Sequence, residues 1–203
     1  MSVEPGSVRP GGRTARVRAA VLDAAGDALA EHGFAQLDLA DIARRADVGK
    51  TTVYRRWGTV TNLVADLLLD MAEQSVSRAD TGTLLGDLTA NAHLVQRTLT
   101  DPRQGPLFKA IIAAAISDPR TAQALRHFYE TRINEWAPCV TLAIERGEVP
   151  EDTDPHEVIR AVSAPLYYRL LVTGEDLDEA AADRAAQAAA TAARAGTYHR
   201  SHS

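Results

Sequence analysis

Cysteine is nearly missing from this 203-residue chain: Cys139 stands alone, so no internal disulfide can form and no second thiol is available for a metal site. A reducing compartment fits that usage. Aromatic residues make up only 5%, whereas alanine is abundant and the 45% apolar and 24% charged shares are ordinary for a globular protein. Helix is therefore the expected currency. No apolar run approaches the length that crosses a bilayer, and the opening MSVEPGSVRPGGRTAR lacks the apolar core of a signal peptide. The expected setting is the cytoplasm, with no membrane partner. Net positive charge is also lacking, since the total is -5, which argues against indiscriminate coating of nucleic acid. The balance is uneven, however. From Arg9 to Gly58, nine Lys/Arg stand against six Asp/Glu, which is +3 and leaves -8 for the rest.

A further absence concerns Gly49-Lys50-Thr51, which resembles the tail of a nucleotide-binding phosphate loop. Such a loop needs a glycine five residues before Gly49 and a strand ahead of it, so that successive amides converge on phosphate. Residue 44 is Arg44, and the preceding LADIARRA has helical periodicity. Nucleotide binding is excluded on both counts. His32, His93, His127 and His156 are far apart and lack neighbouring ligands at helical spacing, while His199 and His202 sit at the chain end, so no metal site is expected. Neither a Ser-His-Asp set nor paired carboxylates can be picked out, so we expect no catalytic residues, no enzyme activity and no cofactor. Cys139 follows Pro138 in an apolar stripe and reads as buried packing.

What is present is a succession of amphipathic helices without a strand signal. Residues 1–12 read as a flexible arm rich in Pro and Gly. From Thr14, apolar residues recur at helical spacing through Val17, Val21, Ala25 and Leu29 and stop at His32-Gly33. Asp38 is placed to cap a short helix burying Leu39, Ile42 and Ala43, and a third short helix runs through KTTVYRRW before a long fourth one. In the second half, Asp101-Pro102, Asp118-Pro119 and Asp154-Pro155 each pair a cap with a first-turn proline. Pro138 and Pro165 fall inside apolar stripes, where bends or breaks are expected. The final TYHRSHS is expected to fray.

The second and third helices satisfy the needs of a helix-turn-helix. Ile42 and Ala43 face inward, Ala46 is small at the crossing, Val48 plugs the turn and Gly49 lets the backbone bend. Lys50, Thr51, Thr52, Tyr54 and Arg55 then crowd the exposed start of the third helix, supplying the donors that phosphate and base edges require. The other reading of these residues is a solvated helix face without a partner.

The stretch FAQLDLADIARRADVGKTTVYRRW, after a helix ending EHGF, resembles the N-terminal domain of the TetR/AcrR family of transcriptional regulators over about Thr14 to Met71. PLYYRLLVTGEDLDEA, from Pro165 to Ala180, is similar to one C-terminal domain type of that family. The resemblance implies an all-α protein: a three-helix helix-turn-helix domain at 13–72, with the motif about 38–57, joined by the fourth helix to an effector-binding and dimerisation domain at 73–198 and a tail at 199–203. It makes Lys50, Thr51, Thr52, Tyr54 and Arg55 the DNA-facing set, with Trp57 at the helix end and Arg13 and Arg16 on phosphate. Relatives commonly have Gly-Val-Ser in the turn. This chain has Asp47-Val48-Gly49, so the serine cap is missing and capping must come from backbone or Asp47.

The resemblance further implies a small-molecule effector among C-terminal aromatics, with Phe108, Tyr129, Trp136, Tyr167 and Tyr168 as candidate walls and His127, Arg132 and Arg169 as polar anchors. Kinks at Pro138 and Pro165 are expected to leave the space. It implies a homodimer through the last two helices, the alanine face of Ala181, Ala185, Ala188, Ala189 and Ala192 included, matched to a palindromic double-stranded operator. The functional expectation is a regulator, a repressor released by its effector. The alternative is a helical ligand- or partner-binding protein without regulated DNA binding.

Overall fold

The computed structural model describes residues 11–74 and 78–200, and among these it is all-α. The helices are α1 (Gly11–His32), α2 (Leu39–Arg45), α3 (Lys50–Trp57), α4 (Val60–Glu73), α5 (Leu84–Thr100), α6 (Gln104–Ser117), α7 (Pro119–Glu145), α8 (Pro155–Tyr168) and α9 (Glu179–Arg194). A 3-10 turn at Phe34–Gln36 precedes α2, and a π turn at Arg169–Thr173 extends α8. None of the described helices is long and apolar enough to cross a membrane.

Side-chain oxygens start most of these helices, because each helix leaves its first amides without partners. Asp38 accepts from the Asp41 amide, Thr59 from Asn62, Thr83 from Gly86, Asp118 from Thr121, Asp154 from His156 and Asp178 from Ala181. The Asp-Pro expectation holds at Asp118 and Asp154. It fails at Asp101, which ends α5. There its carboxylate accepts from the amides of Arg103 and Gln104, and α6 begins at Gln104 rather than at Pro102.

α1, α2 and α3 pack as one small unit on α4, burying Val21, Leu29, Ile42, Val53 and Leu63. α4 then lies along α7, and α1 along α6, so the apolar core runs without interruption into the second half. In that half α5, α8 and α9 form a second layer. Ion pairs and hydrogen bonds reinforce the junction: Arg103 bridges Asp23 and Asp27 of α1, Arg120 binds Asn62, and Thr61 donates to Asp118.

Four expectations are corrected. α7 passes through Pro138 as one 27-residue helix, since the carbonyl that proline leaves without a donor belongs to exposed Asn134. α8 likewise continues past Pro165. On α9, Ala181, Ala185 and Ala189 of the expected alanine face are buried against the chain's own α5 and α8, whereas Ala188 is exposed and Ala192 half-buried. The chain end is pinned as far as Arg200, because the Asp154 amide donates to the Tyr198 carbonyl and the Arg200 amide to that of Asp152. Of the expected arm, residues 1–10 lie outside the described residues and Gly11 opens α1; residues 201–203 also lie outside them.

Candidate nucleic-acid interface and cavity

The turn between α2 and α3 reverses one expectation. Gly49 has φ -59°, ordinary for any residue, whereas Asp47 takes the left-handed conformation with φ 52°. Aspartate tolerates that region better than most side chains. The bend therefore resides at Asp47, not Gly49. No side chain caps α3. Instead, the Thr52 amide donates to the Gly49 carbonyl at 2.9 Å, a tight first turn made by backbone alone.

α3 separates its two faces sharply. Val53 is fully buried and anchors the helix on α2, while Lys50, Thr51, Tyr54 and Arg55 are exposed and Thr52 is half-buried. Lys50 with Tyr54, and Thr51 with Arg55, are four residues apart and so adjoin on one surface. Tyr54 is the large side chain α3 leaves open, at 47% exposure. Arg13 and Arg16 are exposed on the first turns of α1.

Trp57 is corrected: it is 5% exposed and faces inward. Its indole N–H donates to Asp66 Oδ2 at 2.9 Å. Asp66 on α4 also accepts from Arg18 of α1, at 2.9 Å to Nη2 and 3.2 Å to Nε, and Arg18 reaches on to Asp70. Burial pushes the Asp66 carboxyl up, but the bonds from Arg18 and Trp57 outweigh it and hold it below the usual carboxylate range. The end of α3 is thereby tied to α1 and α4 at once. Sequence periodicity places a tryptophan at the helix end but gives no sign of this long-range partner.

A half-open cavity of about 820 Å³ lies among α4, α5, α6, α7 and α8, a size suited to a small organic ligand. Phe108, Tyr129, Trp136 and Tyr167 all line it. They form a ring cluster with Phe128: Phe108 lies 5.5 Å from Phe128, Phe128 5.3 Å from Tyr129, and Tyr129 5.5 Å from Tyr167, the last pair edge to face. His127 and Arg169 do not line it. His127 is exposed on the outer face of α7, and Arg169 pairs with Glu175 at 2.7 Å. The anchors that sequence periodicity missed are Gln74, Asn91, Gln104 and Ser163, with Arg160 beside them. Asn91 Oδ1 is buried without a hydrogen-bond partner, whereas the Tyr129 phenol faces that of Tyr167, and burial pushes it far up. Cys139 is fully buried and its thiol is pushed up to about 12 by that burial, so it stays protonated at neutral pH. Among the described residues no group of three metal-ligating side chains occurs.

Comparison with known proteins agrees with this division. Residues 21–67 match the family described as bacterial regulatory proteins, tetR family, and residues 78–189 match the tetracyclin repressor-like C-terminal domain. The uncharacterized HTH-type transcriptional regulator YdeS of Bacillus subtilis is 32% identical over 161 residues, covering 79% of this chain and 81% of its own. The DNA-binding transcriptional repressor TetR of Mycobacteroides abscessus is 29% identical over 165 residues, with 80% and 85% covered. Among solved structures, the TetR family transcription regulator SCO0332 superposes with a TM-score of 0.69 at 30% identity, covering 87% of this chain and 97% of that one. Two matched domains in the expected order, a relative alike over most of its length and a shared fold lead to one conclusion: the chain belongs to the TetR family of DNA-binding transcriptional regulators, which are not enzymes.

Proposed function

We propose that this regulator is a repressor that binds a palindromic operator as a homodimer and leaves it when a small molecule fills the cavity. The reading rests first on α3, whose exposed Lys50, Thr51, Tyr54 and Arg55 stand opposite buried Val53 and Trp57. Lysine and arginine suit phosphate and guanine edges, and the hydroxyls suit phosphate or base edges, while Thr52 at half burial positions the helix start. Arg13 and Arg16 add phosphate contacts from α1. A relative named as a repressor supports the sign of regulation.

Dimerisation is expected through α8 and α9. Tyr168, Leu171 and Val172 at the end of α8 and its π turn are exposed at 58%, 41% and 66%, an apolar patch that a second copy would cover. Release follows if the ligand prefers an arrangement in which the two α3 helices no longer match successive major grooves.

The test is selection of duplexes from a random DNA pool, followed by affinity measurements on the winning sequence. Lys50→Ala should weaken binding and lower its salt dependence by about one phosphate contact, and Tyr54→Ala should weaken it by about tenfold or more. A selected duplex bound equally by both variants removes α3 as the reading helix. No selected sequence at all leaves a helical ligand-binding protein without regulated DNA binding.

A further inference from the structure

Arg132 of α7 stands where the cavity meets α4. Its guanidinium lies over the Phe128 ring, 5.3 Å from the centroid, and lines the cavity. Nη1 donates to Glu135 at 2.7 Å, and Nη2 donates to two main-chain carbonyls, that of Met71 and, at 2.7 Å, that of Gln74. Met71 and Gln74 themselves line the cavity. These carbonyls belong to the last turn of α4, whose final acceptors have no partner within the helix and whose dipole favours a cation. α4 is the helix whose Asp66 holds Trp57 and, through it, α3. One side chain therefore touches both the cavity and the helix that carries the DNA-reading unit.

The lining chemistry narrows the ligand. The charged side chains that line the cavity among the described residues are Arg132 and Arg160, each paired with a glutamate outside the lining, Glu135 at 2.7 Å and Glu157 at 2.6 Å. Aromatic rings form much of the wall, and among its polar groups the buried Asn91 Oδ1 has no hydrogen-bond partner.

We propose that the cavity takes a ring-bearing organic anion, and that Arg132 is the residue through which its arrival is felt at α4. An anionic oxygen is a stronger partner for a guanidinium than a main-chain carbonyl. On entering, it draws the fork away from Met71 and Gln74 and releases the last turn of α4. The inference deepens the repressor reading and rests on it: the ligand-free arrangement, with α4 held, is the one that binds the operator. Coupling then requires the two states to differ in how they hold the ligand, and the Arg132 contact supplies that difference.

The test pairs two fluorescent probes of one ring system, anionic 1-anilinonaphthalene-8-sulfonate and its uncharged parent N-phenyl-1-naphthylamine, with amide hydrogen exchange and operator binding on the full chain. Wild type should bind the sulfonate more tightly than the parent by about fivefold or more, and only the sulfonate should speed exchange over 68–74 and weaken operator binding, by about tenfold. Arg132→Met should lose the preference for the sulfonate, exchange quickly over 68–74 without ligand and bind the operator about tenfold more weakly, with exchange in α9 unchanged as the sign of an intact fold. Lys109→Met, which removes an exposed α6 cation outside the cavity lining, should keep wild-type operator affinity and the preference for the sulfonate. Slow exchange over 68–74 in Arg132→Met, or an unaltered sulfonate preference, overturns the proposal. A wild type that selects no duplex overturns the repressor reading instead, while the exchange and probe arms still decide the role of Arg132.

Discussion

The two halves of the molecule treat their buried polar groups differently. In the DNA-reading half the partly buried carboxylate is matched: Asp66 accepts from Arg18 and from Trp57. The cavity half contains the buried side-chain atoms found without a partner among the described residues, on Arg78, Asp87 and Asn91, and of these Asn91 lines the cavity. Because a buried polar atom without a hydrogen bond destabilises the native state, such atoms persist where something else is served. The first half is complete as it stands and shows its chemistry outward on α3. The second half leaves one side-chain oxygen, that of Asn91, unmatched beside its cavity.

Substitutions that break the comparison should therefore differ in sign. The largest effect is expected at Trp57→Ala, which empties a core site and strips Asp66 of one donor. Stability should fall by about 3–5 kcal/mol in urea unfolding, with operator binding lost as α3 loosens. A smaller loss, about 1.5–3 kcal/mol, is expected for Asp66→Asn, which removes charge-assisted bonds to Arg18 and Trp57. Its pH dependence has a definite sign. The Asp66 carboxyl is held below its unfolded value, so its contribution is complete above the ordinary carboxylate range and disappears as pH falls through the folded value. The gap between wild type and Asp66→Asn should accordingly narrow in acid and stay constant near neutrality.

In the cavity half, the analogous loss of a polar group should help. Asn91→Leu exchanges an unmatched amide for a hydrocarbon of similar size, and without ligand it should leave stability unchanged or raise it by about 1 kcal/mol, seen as a melting temperature about 2–4 °C higher. A clear fall in melting temperature would mean that Asn91 is satisfied after all. The smallest effect is expected at Gly49→Ser. A side chain there meets open space, with Thr52 Oγ1 nearest at 4.0 Å, and the new hydroxyl can accept from the Thr52 amide. Stabilisation of a few tenths of a kcal/mol is expected, because serine exceeds glycine as a cap only slightly.

Local rules made much of the fold legible from the residues alone. The apolar spacing from Val21 to Leu29, the caps at Asp38, Asp118 and Asp154, and the exposed face of α3 each depend on neighbours within a turn or two. What stayed hidden depends on distant partners. Trp57 looks amphipathic at the end of KTTVYRRW, and only Asp66 and Arg18 reveal that it faces inward. Gly49 looks like the hinge, yet the left-handed residue is Asp47, whose exposed side chain leaves no sequence trace. His127 was as plausible an anchor as Arg132, five residues on; helix rotation sends one outward and the other over Phe128 onto the end of α4. The alanine face of α9 reads equally well as an interface between copies or as packing within one, and α5 decides it.

The most direct test of the division between a reading half and a receiving half is the affinity of a selected operator duplex for Tyr54→Ala and Asn91→Leu, measured by anisotropy without ligand. Tyr54→Ala should lose about tenfold or more while Asn91→Leu stays within about twofold of wild type. Full affinity in Tyr54→Ala together with a large loss in Asn91→Leu would contradict that division.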